Sequence, residues 1–154
     1  MPSTWAILPA VGGPNDLPGR IDNVLTAAAA LAVLERVERA AAGRPFLVRI
    51  EDQHDRMKWV DVGACPWGWA MLCTDDYEPN TSDNFVSRGD SCSEEEWEFD
   101  QPGGQTMGLS RKSFVDPKRL KRALGVYLST RKLWRGMTWE PSPDPLLLAD
   151  EPNT

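Results

Sequence analysis

The stretch MKWVDVGACPWGWAMLCTD, residues 57–75, decides the fold class. Its two halves, residues 57–65 and 69–75, have the composition of β-strands. Between them lies CPWG, in which Pro66 and Gly68 supply the chemistry of a tight turn. The pattern predicts a β-hairpin, and strands joined by a hairpin are antiparallel.

A strand, a helix and another strand are predicted ahead of this hairpin. Residues 4–8 are a short apolar strand candidate, and residues 44–52 alternate as a half-buried strand does. Between them, strong helix formers follow Thr26, which has N-cap chemistry, and end at Gly43. One stripe of this helix is apolar and predicts its buried face: Ala30, Leu34, Val37 and Ala41.

The chain after the first hairpin predicts further strands. Residues 75–84 (DDYEPNTSDN) are polar, acidic and rich in turn formers, so we expect an exposed loop there. Residues 84–90 are a short strand candidate. Residues 94–100 and 105–110 predict a second hairpin, because a Pro-Gly-Gly turn at residues 102–104 separates them.

A second helix is predicted to begin at Asp116 and Pro117, which have N-cap and first-turn chemistry. Its outer face is basic, and its buried stripe is Leu120, Ala123, Leu124, Tyr127 and Leu128. Residues 136–141 then predict a closing strand. Long strand–helix alternation is absent from the sequence, so we predict an α+β fold, with a single antiparallel β-sheet and two helices packed on it. The predicted domain is residues 1–141, followed by a proline-rich C-terminal tail, residues 142–154.

The bulk composition limits the classes of function. A net charge of −6 and a pI near 4.8 argue against a binder of nucleic acid or of anionic membranes, and favour basic partners. No apolar run reaches about 18 residues, and the N-terminus lacks the pattern of a secretory signal, so we expect a cytoplasmic protein. Three cysteines without a CxxC spacing and a single histidine predict no metal site, and we expect no cofactor.

The segment CSEEEWEFD, residues 92–100, carries five carboxylates within seven positions. In a strand, alternation places Glu96, Glu98 and Asp100 on one face and sets Trp97 and Phe99 on the other. Neighbouring carboxylates then lie about 7 Å apart and repel one another until a cation or a basic surface arrives. Three interpretations stay open: a solvated strand face, a contact surface for a basic partner, and a catalytic carboxylate pair.

Charge is segregated along the chain. Residues 75–100 carry ten acids and one base, whereas residues 111–135 carry nine bases and one acid. This segregation predicts either electrostatic steering of a partner or pairing of the acidic strand with the basic helix. The basic helix alone would favour nucleic acid, but the sequence has no phosphate-binding loop and no motif that recognises RNA or DNA, so we expect no direct nucleic-acid binding.

Seven tryptophans call for an explanation, either as core or as an aromatic surface. Trp67 and Trp69, beside Pro66 at the hairpin turn, form with Trp97 the candidate stacking pocket, which suits a small molecule or a protein partner. His54, between two aspartates, is a candidate general base, but no catalytic motif supports an enzyme. The candidate partner-binding residues are Glu96, Glu98, Asp100, Trp97, Trp67, Trp69, Asp75, Asp76 and Tyr77.

From Trp59 onward the order of sequence landmarks follows a known arrangement. A Val-Gly step in one strand precedes an apolar strand, a Ser-x-Gly-Asp turn, an aromatic strand with a glycine turn, a Val-Asp-Pro helix start, and a closing strand with Trp. The landmarks are Val62-Gly63, residues 70–73, residues 87–90, residues 97–104, residues 115–117, Ala123 with Tyr127 and Leu128, and Trp139. This order resembles the first-catalogued immunity-protein family of bacterial polymorphic toxin systems, over about half of the chain.

The resemblance implies a cytoplasmic antidote that binds a basic toxin domain, often a nucleic-acid deaminase, and blocks its active site. The segments TMGLS (residues 106–110) and TRKLWRGMTW (residues 130–139) depart from the family pattern and leave the cognate toxin unspecified. The alternative is a small-molecule-binding protein or enzyme on the same scaffold, in a specialised-metabolite biosynthetic pathway, with a Trp-lined pocket.

Overall fold

The computed structural model describes residues 4–9, 20–55, 58–78, 81–100 and 105–151. Two helices are α1 (Ala27–Ala41) and α2 (Pro117–Thr130). The strands are β1 (Trp5–Pro9), β2 (Ile21–Val24), β3 (Phe46–Asp52), β4 (Trp59–Cys65), β5 (Gly68–Glu78), β6 (Thr81–Arg88), β7 (Glu96–Asp100), β8 (Thr106–Ser110), β9 (Leu133–Trp134), β10 (Thr138–Glu140) and β11 (Leu148–Ala149). Short 3-10 turns lie at Arg111–Ser113 and Pro145–Leu147.

Seven of the strands form one large antiparallel sheet, in the order β10-β6-β5-β4-β3-β1-β2. The two helices contact each other and pack on this sheet. The predicted α+β class is therefore confirmed. Beside the large sheet, β7 and β8 form a separate two-stranded antiparallel hairpin, and β9 pairs with β11 in parallel.

Both helices begin where their sequences predict. The Thr26 hydroxyl accepts a hydrogen bond from the Ala29 N–H at 3.0 Å, and the Asp116 carboxylate accepts from the Lys118 N–H at 2.8 Å. The predicted stripes of α1 and α2 are buried, and they meet a core that contains Trp5, Leu34 and Met71. Helix α1 ends at Ala42, which has a left-handed backbone (φ 52°).

The hairpin of β7 and β8 covers part of the opposite face of the sheet. Its Phe99 and Leu109 join Leu47, Ala70 and Phe114 in a second apolar cluster. A glycine in β4 allows this contact, because a Cβ atom at Gly63 would lie 3.1 Å from the Phe99 ring and 3.3 Å from Leu109. The sheet is thus sandwiched between the helices on one side and this hairpin on the other.

Three local predictions need correction. Residues 75–84 are not a loop throughout: β5 continues to Glu78 and β6 starts at Thr81, because β5 and β6 pair in a further hairpin whose ladder extends across a register shift. Strand β2, which pairs with β1, was not predicted. The predicted C-terminal tail contains β11, whose Leu148 and Ala149 pair with β9. Within the ranges given above, no helix is long and apolar enough to cross a membrane.

Candidate functional site: an acidic hairpin beside an aromatic pocket

The alternation predicted for β7 is confirmed. Glu96, Glu98 and Asp100 are exposed, whereas Phe99 is buried and Trp97 is half-buried. Strand β8 makes room for the acidic face at Gly108, because a Cβ atom there would overlap the Glu96 carboxylate. Since the apolar side of β7 is fixed to the sheet, the three carboxylates are held as a row on a supported strand. We call Glu96, Glu98 and Asp100 the acidic row.

The bases nearest to the acidic segment come from the 3-10 turn Arg111–Ser113, and they pair with the acids that precede the row. Lys112 Nζ lies 2.6 Å from the Glu94 carboxylate, and its hydrogen bond and charge lower the pKa of Glu94. Arg111 lies 4.0 Å from the exposed Glu95 carboxylate. Among the described residues, no ion pair involves a member of the acidic row. No described base therefore pairs with the acidic row.

Bases of helix α2 form ion pairs with acids outside the acidic segment. Lys121 lies 3.2 Å from Glu38 of α1, and Arg122 lies 3.8 Å from Glu151. The alternative that the acidic strand pairs with α2 is therefore wrong for the described residues, and the acidic row faces solvent. The interpretation as a catalytic carboxylate pair has no support from the cavity beside Trp67, because neither Glu96 nor Glu98 lines it.

Trp67, at the turn between β4 and β5, connects the hairpin to the sheet. Its ring stands edge-on to Trp97 at 5.4 Å and to Phe114 at 5.7 Å, and the Arg111 guanidinium lies 5.1 Å from its centroid. Two of the three predicted pocket tryptophans are thus brought together. Such edge-on aromatic contacts have a preferred geometry and help to fix the rings.

Trp69 is more deeply buried than the predicted stacking pocket implies. Its side chain is 4% exposed, packs edge-on against Phe46 at 5.6 Å and carries the Lys121 ammonium 4.9 Å above its ring. Its backbone exchanges hydrogen bonds with Val115, at 3.0 and 2.8 Å. Trp69 is therefore mainly a core residue, because alternation along β5 turns it toward the helices while Trp67 stays at the turn.

A cavity of about 610 Å³ opens beside Trp67. Three segments enclose it: the β4–β5 turn, residues 89–91, and residues 111–119. Its apolar lining includes Trp67, Trp69, Phe114 and Val115, whereas Trp97, the third predicted pocket tryptophan, is not among the lining residues. Its charged lining comprises Arg111, Arg119, Asp90 and Asp116. The sequence predicted an aromatic pocket at this turn, but not the contribution of residues 89–91 and 111–119, which the fold brings there from distant parts of the chain.

The remaining predicted residues lie apart from this region. Asp75, Asp76 and Tyr77 belong to β5, and their side chains lie outside the described part of the structure. Asp75 is seven residues along the strand from Gly68, or roughly 23 Å from the turn at 3.3 Å per residue. These three residues are therefore far from Trp67. The distance arises because β5 runs on through the positions that were predicted to be a loop.

His54 is part of a structural contact. Its ring Nε2 lies 3.3 Å from the Thr4 hydroxyl, and its backbone N–H donates to Asp52 at 2.8 Å. Asp52 also binds the Arg131 guanidinium, which lies 4.2 Å from the centroid of Trp5. Burial raises the pKa of Asp52, but the hydrogen bonds from Arg131 and His54 outweigh it and lower the pKa overall. This arrangement links β3 to the end of α2 and favours a structural histidine.

Fold and site together define an α+β protein with a supported acidic strand and a neighbouring aromatic pocket. Comparisons with protein-family models, with curated proteins and with solved structures found no match to the chain. The resemblance to immunity proteins therefore stays a prediction that rests on the sequence landmarks.

Proposed function

We propose that this is a cytoplasmic immunity protein that binds a basic, nucleic-acid-targeting toxin domain and blocks it. The acidic row is the observation that carries the proposal: Glu96, Glu98 and Asp100 are exposed, unpaired among the described ion pairs, and mounted on a hairpin whose other face is buried. A protein that acts on nucleic acid needs a basic groove, and this row has the opposite charge.

The arrangement supports fast and specific association. Complementary charges raise the rate of encounter, whereas close apolar contacts slow dissociation. Trp97 lies on the other face of the same strand and contacts Trp67, and both side chains are only half-buried, so aromatic surface of the kind found in interfaces flanks the hairpin. Because Phe99 and Leu109 anchor the hairpin, little conformational freedom remains to be lost when a partner binds.

The experiment that tests this function is affinity purification of the tagged protein from its own host. Mass spectrometry of the eluate should find a stoichiometric partner with a basic active-site groove, and the purified pair should have lost the partner's activity on nucleic acid. An eluate with no protein partner, from cells in which such a toxin domain is shown to be expressed, would contradict the proposal.

A second candidate is a small-molecule-binding protein or enzyme, for example in specialised metabolism. The observation that favours it is the cavity beside Trp67, whose volume of about 610 Å³ lies in the range typical of ligand pockets. Intrinsic tryptophan fluorescence and thermal unfolding, measured against fractions of a host metabolite extract, test this candidate. No quenching and no thermal shift in any fraction would contradict it.

A further inference from the structure

We propose that the cavity beside Trp67 binds a small carboxylate that has an apolar, ring-sized body. The inference rests on the small-molecule candidate above and specifies the class of its ligand. Three observations support it: the walls of the cavity are held by backbone contacts, two arginines line it, and one of its two acidic residues already caps a helix.

The walls are already in place without a ligand. Trp69, near the start of β5, exchanges two backbone hydrogen bonds with Val115, and the Gly89 N–H donates to the Lys112 carbonyl at 2.6 Å. Gly68 and Gly89 pack directly on the backbone of Phe114 and Val115, since a Cβ atom at either position would overlap a carbonyl oxygen there. The cavity is therefore preformed, which lowers the entropic cost of binding.

Two guanidinium groups line the cavity, and among the described ion pairs Arg111 has only the 4.0 Å contact with Glu95 and Arg119 has none. Arg119 donates to the Gly136 carbonyl at 2.9 Å, a bond that orients its side chain without neutralising its charge. Arg111 lies against Trp67, and the carboxylate paired with it, that of Glu95, is 4.0 Å away and exposed. A guanidinium presents parallel N–H donors that match the two oxygens of a carboxylate.

The acidic residues of the cavity limit the ligand's charge. Asp116 is committed to α2, because its carboxylate accepts from the backbone N–H groups of Lys118 and Arg119. These two hydrogen bonds also satisfy N–H groups at the start of the helix. The arginine side chains therefore remain as the groups that can bind an anion. Asp90 is exposed at the cavity and opposes a second negative charge. With a net protein charge of −6, a monoanionic carboxylate is favoured over a phosphate dianion.

The apolar surfaces determine the rest of the ligand. Trp67 and Phe114 stand edge-on to each other at 5.7 Å, and Val115 continues the same wall. Arg111 and Arg119 line the same cavity as this wall, so a ring or short aliphatic body could contact the wall while its carboxylate binds a guanidinium group. A fully polar anion would leave this apolar surface in contact with water and would therefore bind with a less favourable free energy.

Four probes of matched size test the assignment on the full chain: 3-phenylpropionate, 3-phenylpropionamide, phenethylamine and phenyl phosphate. Binding is followed by two-dimensional NMR, with the indole N–H of Trp67, assigned through Trp67→Phe, as the reporter. We expect saturable shifts with 3-phenylpropionate and weaker binding of the other three probes. Arg119→Ala and Arg111→Gln should each weaken 3-phenylpropionate binding about tenfold, the loss typical for a charged hydrogen bond.

The control is Lys118→Ala, which removes one positive charge from a position that does not line the cavity. It should bind the carboxylate like the unchanged protein. Preferred binding of the amide, the amine or the phosphate would overturn the carboxylate assignment while leaving a small-molecule site in place. No shift at Trp67 with any probe at about 10 mM, a concentration at which dissociation constants in the millimolar range are detected, would overturn both.

Discussion

Trp97 and Trp67 meet edge-on, with their ring centroids 5.4 Å apart. This contact joins the acidic hairpin to the turn between β4 and β5, two parts of the chain about 30 residues apart in sequence. Through it, the surface proposed to meet a basic partner and the cavity proposed to hold a carboxylate share an aromatic wall. Binding at one place is therefore expected to be sensitive to changes in the other.

The aromatic contact predicts an energetic coupling between the two tryptophans. Trp67→Ala and Trp97→Ala should each lower the free energy of unfolding. The double variant should lose about 1 kcal/mol less than the sum of the two single losses, because each single substitution already removes the contact between the rings. Urea unfolding of the four proteins measures this coupling. Strictly additive losses would mean that the two rings pack independently.

Gly63 is predicted to be required by the hairpin that covers it. Gly63→Ala places a methyl group 3.1 Å from the Phe99 ring and should cost about 1–3 kcal/mol of unfolding free energy, the usual range for overpacking. The matched control is Gly125→Ala in α2, where the nearest atom, Leu31 Cδ1, is 3.7 Å away. Gly125→Ala should stabilise by up to about 1 kcal/mol, because alanine favours a helix. Equal effects of the two substitutions would contradict this account of the hairpin.

Asp52 predicts a pH-dependent contribution to stability. Its folded-state pKa is lowered from the ordinary value of 3.8, so it stabilises the fold above that value and loses the effect as pH falls through its folded-state pKa. Asp52→Asn should therefore be more destabilising at pH 7 than at pH 3. Urea unfolding between these two pH values gives both curves. If the stability difference between the two proteins were the same at both pH values, the bond to Arg131 would not lower the pKa of Asp52.

Local sequence patterns predicted the parts of this fold that depend on near neighbours. The caps at Thr26 and Asp116, the turn at Pro66 and the alternation in β7 all reflect contacts within a few residues. The place of the hairpin on the second face of the sheet could not be predicted, since it depends on Phe99 meeting Gly63.

The candidate site was predictable to a smaller extent. Alternation identified the acidic row, because side-chain direction in a strand follows from position alone. It did not separate Trp67 from Trp69, whose burial depends on Phe46 and Val115 packing nearby. Nor could composition show that Lys112 pairs with Glu94 and Arg111 approaches Glu95 while α2 pairs elsewhere, because such pairing is set by tertiary structure.

The central claim is that the acidic row binds a basic protein, and charge reversal at Glu96 and Glu98 tests it most directly. The variant E96K/E98K and a control, E35K/E151K, each replace two exposed acids and change the net charge from −6 to −2, since each substitution adds two units. Binding to the co-purified partner is measured at low and at physiological salt, with unfolding curves to check the fold. The account predicts that E96K/E98K weakens binding at least about a hundredfold, mainly through slower association, and that the control binds within about threefold of the unchanged protein. Unchanged affinity of a folded E96K/E98K would contradict the account.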